Sequence, residues 1–185
     1  MDEFNYLAVL ISIILGLGIT QLLSGFARWI EQRSAFRAFG PSILWTATLL
    51  VVHIQTWWSM FGMRNHPDWT FVQFCLVLLQ PIVLYLLAAL VLPSSTSELD
   101  LKANYFGQRR WFFSLLVLLL TVSLLKYLAL EGRLPDATNL AFHVALALLS
   151  AVGIATENLT VHRLLAYSTP AAIAVYIGLL FARLQ

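Results

Sequence analysis

The chain has 185 residues, 60% of them hydrophobic and 11% charged, and a mean hydropathy of +0.82. This composition excludes a disordered chain and an ordinary soluble domain of the same size, and it points to a membrane protein. A single cysteine, Cys75, excludes a disulfide scaffold, a thiol redox pair and a Cys-rich zinc site, and the formal charge of +2 carries no argument for a polyanionic partner such as nucleic acid.

Charged residues punctuate the sequence, because a charge at the centre of a membrane helix costs about 2.5–3.5 kcal/mol on insertion scales. Charge-free runs cover Phe4–Ala27, Ala38–Met63, Trp69–Ser97, Trp111–Leu125, Ala137–Thr156 and Leu164–Ala182. A crossing needs about 20 apolar residues. The pattern predicts an all-α, polytopic bundle of six transmembrane helices in a single domain, residues 1–185, with spans near 4–30, 41–63, 69–92, 111–130, 137–157 and 161–183.

The first span follows Met1-Asp2-Glu3 with no basic stretch and no small-residue cleavage site behind it, so it is expected to be retained. Along it Ser12, Gly16, Thr20, Ser24 and Arg28 recur every four residues, with Gly18, Gln21 and Gly25 beside them. Such a stripe predicts close packing against other helices, and Ala174, Gly178 and Ala182 repeat the theme in the sixth span.

The second span is rich in polar residues. Helical spacing places Thr46, His53, Thr56 and Trp57 on one side and Thr48, Gln55 and Ser59 on another. In the third span Gln73 and Gln80 are two turns apart, and Pro81 frees a carbonyl one turn earlier. That span ends at Pro93–Ser97, from which the longest connection runs to Arg110.

The fourth span reaches crossing length only if Lys126 is included, its stem lying in hydrocarbon and its ammonium rising to the headgroups one turn before Glu131. In the fifth, Asn139, His143, Ser150 and Glu157 form a stripe. Thr169-Pro170 in the sixth span matches Gln80-Pro81 in the third, a likeness that raises two inverted three-helix halves as an arrangement to test. His66 and His162 are expected at interfaces.

Sorting the basic residues by loop puts Arg28, Arg33, Arg37, Lys102, Arg109, Arg110 and Arg163 on one face and Arg64, Lys126, Arg133 and Arg183 on the other. The richer face is expected to be cytoplasmic, in a plasma membrane of bacterial type with both termini outside. Trp29, Trp45 and Trp111 fall near one interface and Trp57, Trp58 and Trp69 near the other, as an aromatic belt would.

Catalytic equipment is missing from the sequence: there is no H-E-x-x-H, no G-x-S-x-G and no second mid-membrane carboxylate. No metal site and no cofactor is implied, and an enzyme is disfavoured. Three readings stay open. The favoured one, on the number of mid-span amides, is a channel, carrier or solute-binding membrane subunit for a small polar solute or a proton. Its ligand-binding residues would be Gln21, His53, Gln55, Gln80 and His143, with Trp57 and Trp58 at the outer mouth. The second is a non-catalytic subunit or assembly partner, acting as a homo-oligomer or with another membrane protein. The third is a haem or quinone redox anchor using His53 and His143.

Overall fold

A computed structural model describes residues 3–31, 38–66, 68–92 and 100–180. Among the described residues the regular structure is all helical: α1 (Glu3–Glu31), α2 (Gly40–Ser59) continued by a 3-10 turn (Met60–Met63), α3 (Phe71–Val91), α4 (Leu101–Glu131), α5 (Ala137–Ala155) and α6 (Leu159–Leu180). Arg33, Arg37, Pro93–Ser97, Ala182 and Arg183, named above, lie outside the described residues.

Local chemistry sets the helix ends. Thr70 and Gln73 form a reciprocal capping box at the start of α3, satisfying two of its free amides. Asp100 accepts from the amides of Lys102 and Ala103, Asp136 from Thr138 and Asn139, and Asn158 from Thr160, each opening a helix. Pro41 sits in the first turn of α2, where its missing amide costs nothing. Gly132, at φ 68°, ends α4 in the left-handed conformation.

The Asp100 cap explains why α4 begins ten residues before the span expected at Trp111. Arg109 and Arg110 bound the apolar run but do not bound the helix. The segment from Leu101 to Arg110 is therefore helical, not part of a connection.

Neighbouring helices alternate in direction. On α1 and α2, Gly18 packs on His53 and the Trp57 indole donates to Ser12 Oγ at 3.3 Å, an antiparallel pair. Tyr6 stacks on Phe74 at one end of α1 and α3, and Gly25 meets Leu92 at the other, so these two run parallel. Gln73 donates to the Ala129 carbonyl at 2.8 Å, placing α3 antiparallel to α4. Ser123 with His143, and Phe113 with Gly153, set α4 against α5, and Tyr176 reaches Asn139 from α6 at 3.4 Å.

The packing does not repeat between halves: α1 lies along α3, whereas α4 meets α6 through a ring cluster at one end. An inverted repeat gains no support from these contacts.

Four helices, α1, α3, α4 and α5, are long and apolar enough to cross a membrane. Their outward faces carry Val9, Ile13, Leu17, Ile82, Leu118 and Leu148 exposed, an apolar surface suited to membrane lipid. The polar residues that lower the hydropathy of α2 are turned inward, as with Thr48, Gln55 and Thr56, while Val51, Ile54 and Trp58 are presented outward.

The small-residue stripes behave unlike the expectation for them. Ser12, Gly16, Thr20 and Ser24 are exposed on α1, which buries Leu7, Ile11, Leu15, Gly18, Leu22 and Gly25 instead. The adjoining face combines large apolar side chains with glycines at the closest approaches, Gly18 against His53 and Gly25 against Leu92. Ala174 and Gly178 are likewise exposed on α6.

Candidate functional site

The inward faces of α2, α4, α5 and α6, with Gln80 of α3, enclose a cavity of about 430 Å³. This volume falls in the range of pockets that take small organic molecules, about 300–1,000 Å³. The lining runs from Gly62, Met63, Glu131 and Pro135 at the end of the bundle to Trp45 at depth.

Beyond Trp45 the bundle is closed by stacked rings. Trp45 meets Phe112 and Phe113 edge-on at centroid distances of 5.2 and 5.7 Å. Phe113, Tyr105 and Phe106 surround His162, which is fully buried. The Thr156 carbonyl lies 2.9 Å from His162 Nε2 and can only accept, so that nitrogen carries the proton and Nδ1 accepts from the Tyr105 hydroxyl at 2.9 Å. Arg109 shares the same carbonyl at 3.2 Å and pairs with Glu157 at 2.7 Å. His162 is thus buried in a plug at the start of α6, and Trp45 is a core ring and not part of a belt. Trp29, Trp57, Trp58, Trp69 and Trp111 all keep partial or full exposure.

Lys126 is the largest departure from the sequence reading. Its ammonium turns into the bundle and donates to Gln80 Oε1 at 2.7 Å. Snorkelling to the headgroups would leave the half-buried Gln80 Oε1 without this partner, and the inward rotamer supplies it with a charged donor. Gln80 is the only acceptor Lys126 has among the described residues, and no carboxylate there pairs with it.

His143 faces the cavity from α5. Its Nδ1–H donates to the Asn139 carbonyl at 2.9 Å, so Nε2 accepts from the Ser123 hydroxyl at 3.1 Å. Ser123 lies one turn before Lys126 on α4, which puts the Ser123–His143 and Lys126–Gln80 pairs at neighbouring levels. Gln55 and Thr56 line the same region, and the Thr56 hydroxyl is buried without a hydrogen-bond partner.

Of the expected ligand-binding residues, the cavity brings together Gln55, Gln80 and His143. Gln21 is on α1, which contributes nothing to the lining. His53 points the other way, its ring filling the space where a side chain at Gly18 would project. Trp57 bonds to Ser12 outside the cavity, and Trp58 does not line it either. His53 and His143 therefore face different spaces, which disfavours a bis-histidine ligand set. Among the described residues no cluster of His, Cys, Asp and Glu could hold a metal ion.

The sequence reading missed Ser123 and undervalued Lys126. A signal was present: Ser123 and Lys126 stand three residues apart on one helix face, and Lys126 lies five residues inside Glu131. Comparison with known protein families, with characterised proteins and with solved structures gives no match.

Proposed function

We propose that this chain crosses a membrane six times and admits a small solute into the cavity from one face, as a carrier or solute-binding membrane protein. One observation carries the reading: polar side chains from five helices converge on a cavity that is open at one end and stoppered by rings at the other. A continuous pore is disfavoured by the buried Trp45, Phe113 and His162 in its path.

Charge supports a direction. Arg28, Lys102, Arg109, Arg110 and Arg163 cluster at the plugged end, whereas Arg64 and Arg133 stand at the open end, Lys126 having turned inward. On the positive-inside rule the plugged end is cytoplasmic and the cavity opens outward.

The test is sided uptake in proteoliposomes, comparing the natural chain with Leu119→Trp, which fills the cavity. Uptake of small solutes that the filled variant loses is the expected result. Equal uptake by both, or none by either, rejects the reading.

A second reading is favoured by the exposed stripe of Ser12, Gly16, Thr20 and Ser24, a surface suited to close approach of another helix, in a homo-oligomer or with a partner membrane protein. Crosslinking in intact membranes that captures only single chains rejects it.

A further inference from the structure

The side chains lining the cavity also define the class of ligand it fits. We infer that the ligand is an amphiphile with one anionic head and an apolar body, the head held at Lys126 and the body directed toward Trp45. This rests on the reading that the cavity takes a ligand, and it adds the ligand's chemistry and orientation.

The head position follows from hydrogen-bond arithmetic. An ammonium has three N–H donors, and the described residues offer Lys126 a single acceptor, Gln80 Oε1. Among the described residues the remaining donors make no hydrogen bond. The Gln80 amide nitrogen and the Gln55 side chain line the same cavity. An anionic oxygen pair placed there accepts from several of these groups at once and neutralises the cation, which is the strongest class of hydrogen bond available. Glu131, the only carboxylate in the lining, is exposed at the mouth, five residues and about 7.5 Å along α4 from Lys126. Among the described residues no carboxylate lines the cavity at the level of Lys126, so a cationic head seated there would face the lysine with no counter-charge beside it.

The body position follows from what lies below. From Lys126 to Leu116 is ten residues, about 15 Å of helix. Over that depth the wall presents Leu49, Leu119, Leu120, Leu146 and Ile173. Two hydroxyls in this stretch are turned back onto their own helices: Thr48 donates to the Leu44 carbonyl at 2.7 Å and Ser150 to the Leu146 carbonyl at 2.8 Å. Thr169 and the unpartnered Trp45 indole N–H are the other polar groups at the deep end, so polar capacity is sparser there than at the level of Lys126. A sugar or other solute polar on all sides would leave hydroxyls unmatched against leucine, at a cost for each. An apolar body meets no such penalty.

The test uses the full-length protein in a neutral detergent and reads the unfolding midpoint against ligand concentration, since a ligand that binds the folded state raises it in proportion to occupancy. The probes are octanoate, octan-1-ol, octylammonium and propionate, with Lys126→Arg, Lys126→Met and Leu119→Trp beside the natural chain. Octanoate is expected to bind at least about tenfold more tightly than octan-1-ol, the scale of one charge-assisted hydrogen bond. Lys126→Arg keeps that preference, Lys126→Met removes it, and Leu119→Trp abolishes binding. Should Lys126→Met fail to fold, the octanoate-to-octanol ratio of the natural chain decides alone.

Equal binding of octanol and octanoate, both lost in Leu119→Trp, overturns the anionic head while leaving the cavity a binding site. Propionate binding as tightly as octanoate overturns the apolar body, and tighter octylammonium overturns the charge. No binding by any probe, or octanoate binding that survives Leu119→Trp, overturns the inference and removes the support the cavity gives to the proposed function.

Discussion

His53 and Gly18 occupy one volume between α2 and α1: the imidazole lies where a Cβ on residue 18 would stand. His53 Nδ1–H donates to the Leu49 carbonyl at 2.7 Å within its own helix, which directs the bare Nε2 at the glycine. The pair is a packing joint. Gly18→Ala is expected to destabilise by about 1–3 kcal/mol, the usual scale of overpacking. His53→Ala leaves a cavity and should cost about 2–4 kcal/mol. The double variant is expected to lose less than the sum, because the alanine at 18 partly fills the space the ring vacates. Unfolding midpoints of the three variants in detergent check this, and strict additivity would show that the two residues are independent.

The sequence disclosed the helices and the polarity of their faces far better than the partners of single side chains. Charge-free runs located all six helices, since burial of charge in hydrocarbon is costly whatever the tertiary contacts. Helical spacing also placed Thr48, Gln55 and Ser59 together on the side that lines the cavity, though Thr56, set on the other side with His53, lines it too. Spacing alone could not say which polar side would face the cavity and which a neighbouring helix, and His53 went to Gly18 for that reason. Lys126 illustrates a second limit. A long side chain near a helix end can rise to the headgroups or turn inward, and the choice depends on Gln80, 46 residues away in sequence.

Breaking the Lys126–Gln80 contact from its two sides should give unequal results. Gln80→Leu leaves the ammonium without its protein acceptor and places an apolar side chain beside it, and a loss of about 1–3 kcal/mol is expected. Lys126→Met keeps the length of the stem and removes the charge, so its cost should be smaller. With Gln80→Leu and Lys126→Met combined, the protein is expected to be more stable than with Gln80→Leu alone. A double variant less stable than either single one would show that the two groups do not act as a pair.

At the plugged end the Tyr105 hydroxyl is the donor to His162 Nδ1, and both groups are buried. Tyr105→Phe keeps the ring contacts with Phe39, Phe106 and His162 while deleting that donor. The expected cost is about 1–3 kcal/mol for an imidazole nitrogen left unsatisfied in the interior. Octanoate binding at the far end should be unchanged, because Tyr105 does not line the cavity. Thermal unfolding with and without the probe separates the two effects. A variant as stable as the natural chain would mean that another group serves Nδ1.

The decisive check on topology concerns α2, whose hydropathy is too low to identify it as a crossing. Cys75 is free and exposed, so labelling is done in a Cys75→Ser background. Gly40 and Gly62 stand at the two ends of the α2 region with open space around the position of a Cβ, as does Gly107 in the first turns of α4, and Leu134 is exposed after α4. Cysteines placed singly at these four positions should report two faces to a membrane-impermeant maleimide. Gly40→Cys and Gly107→Cys are expected to react only from the cytoplasmic side, and Gly62→Cys and Leu134→Cys only from outside. If Gly40→Cys and Gly62→Cys react from the same side, α2 does not cross. A cavity enclosed partly by α2 would then not be an outward-facing site within a membrane.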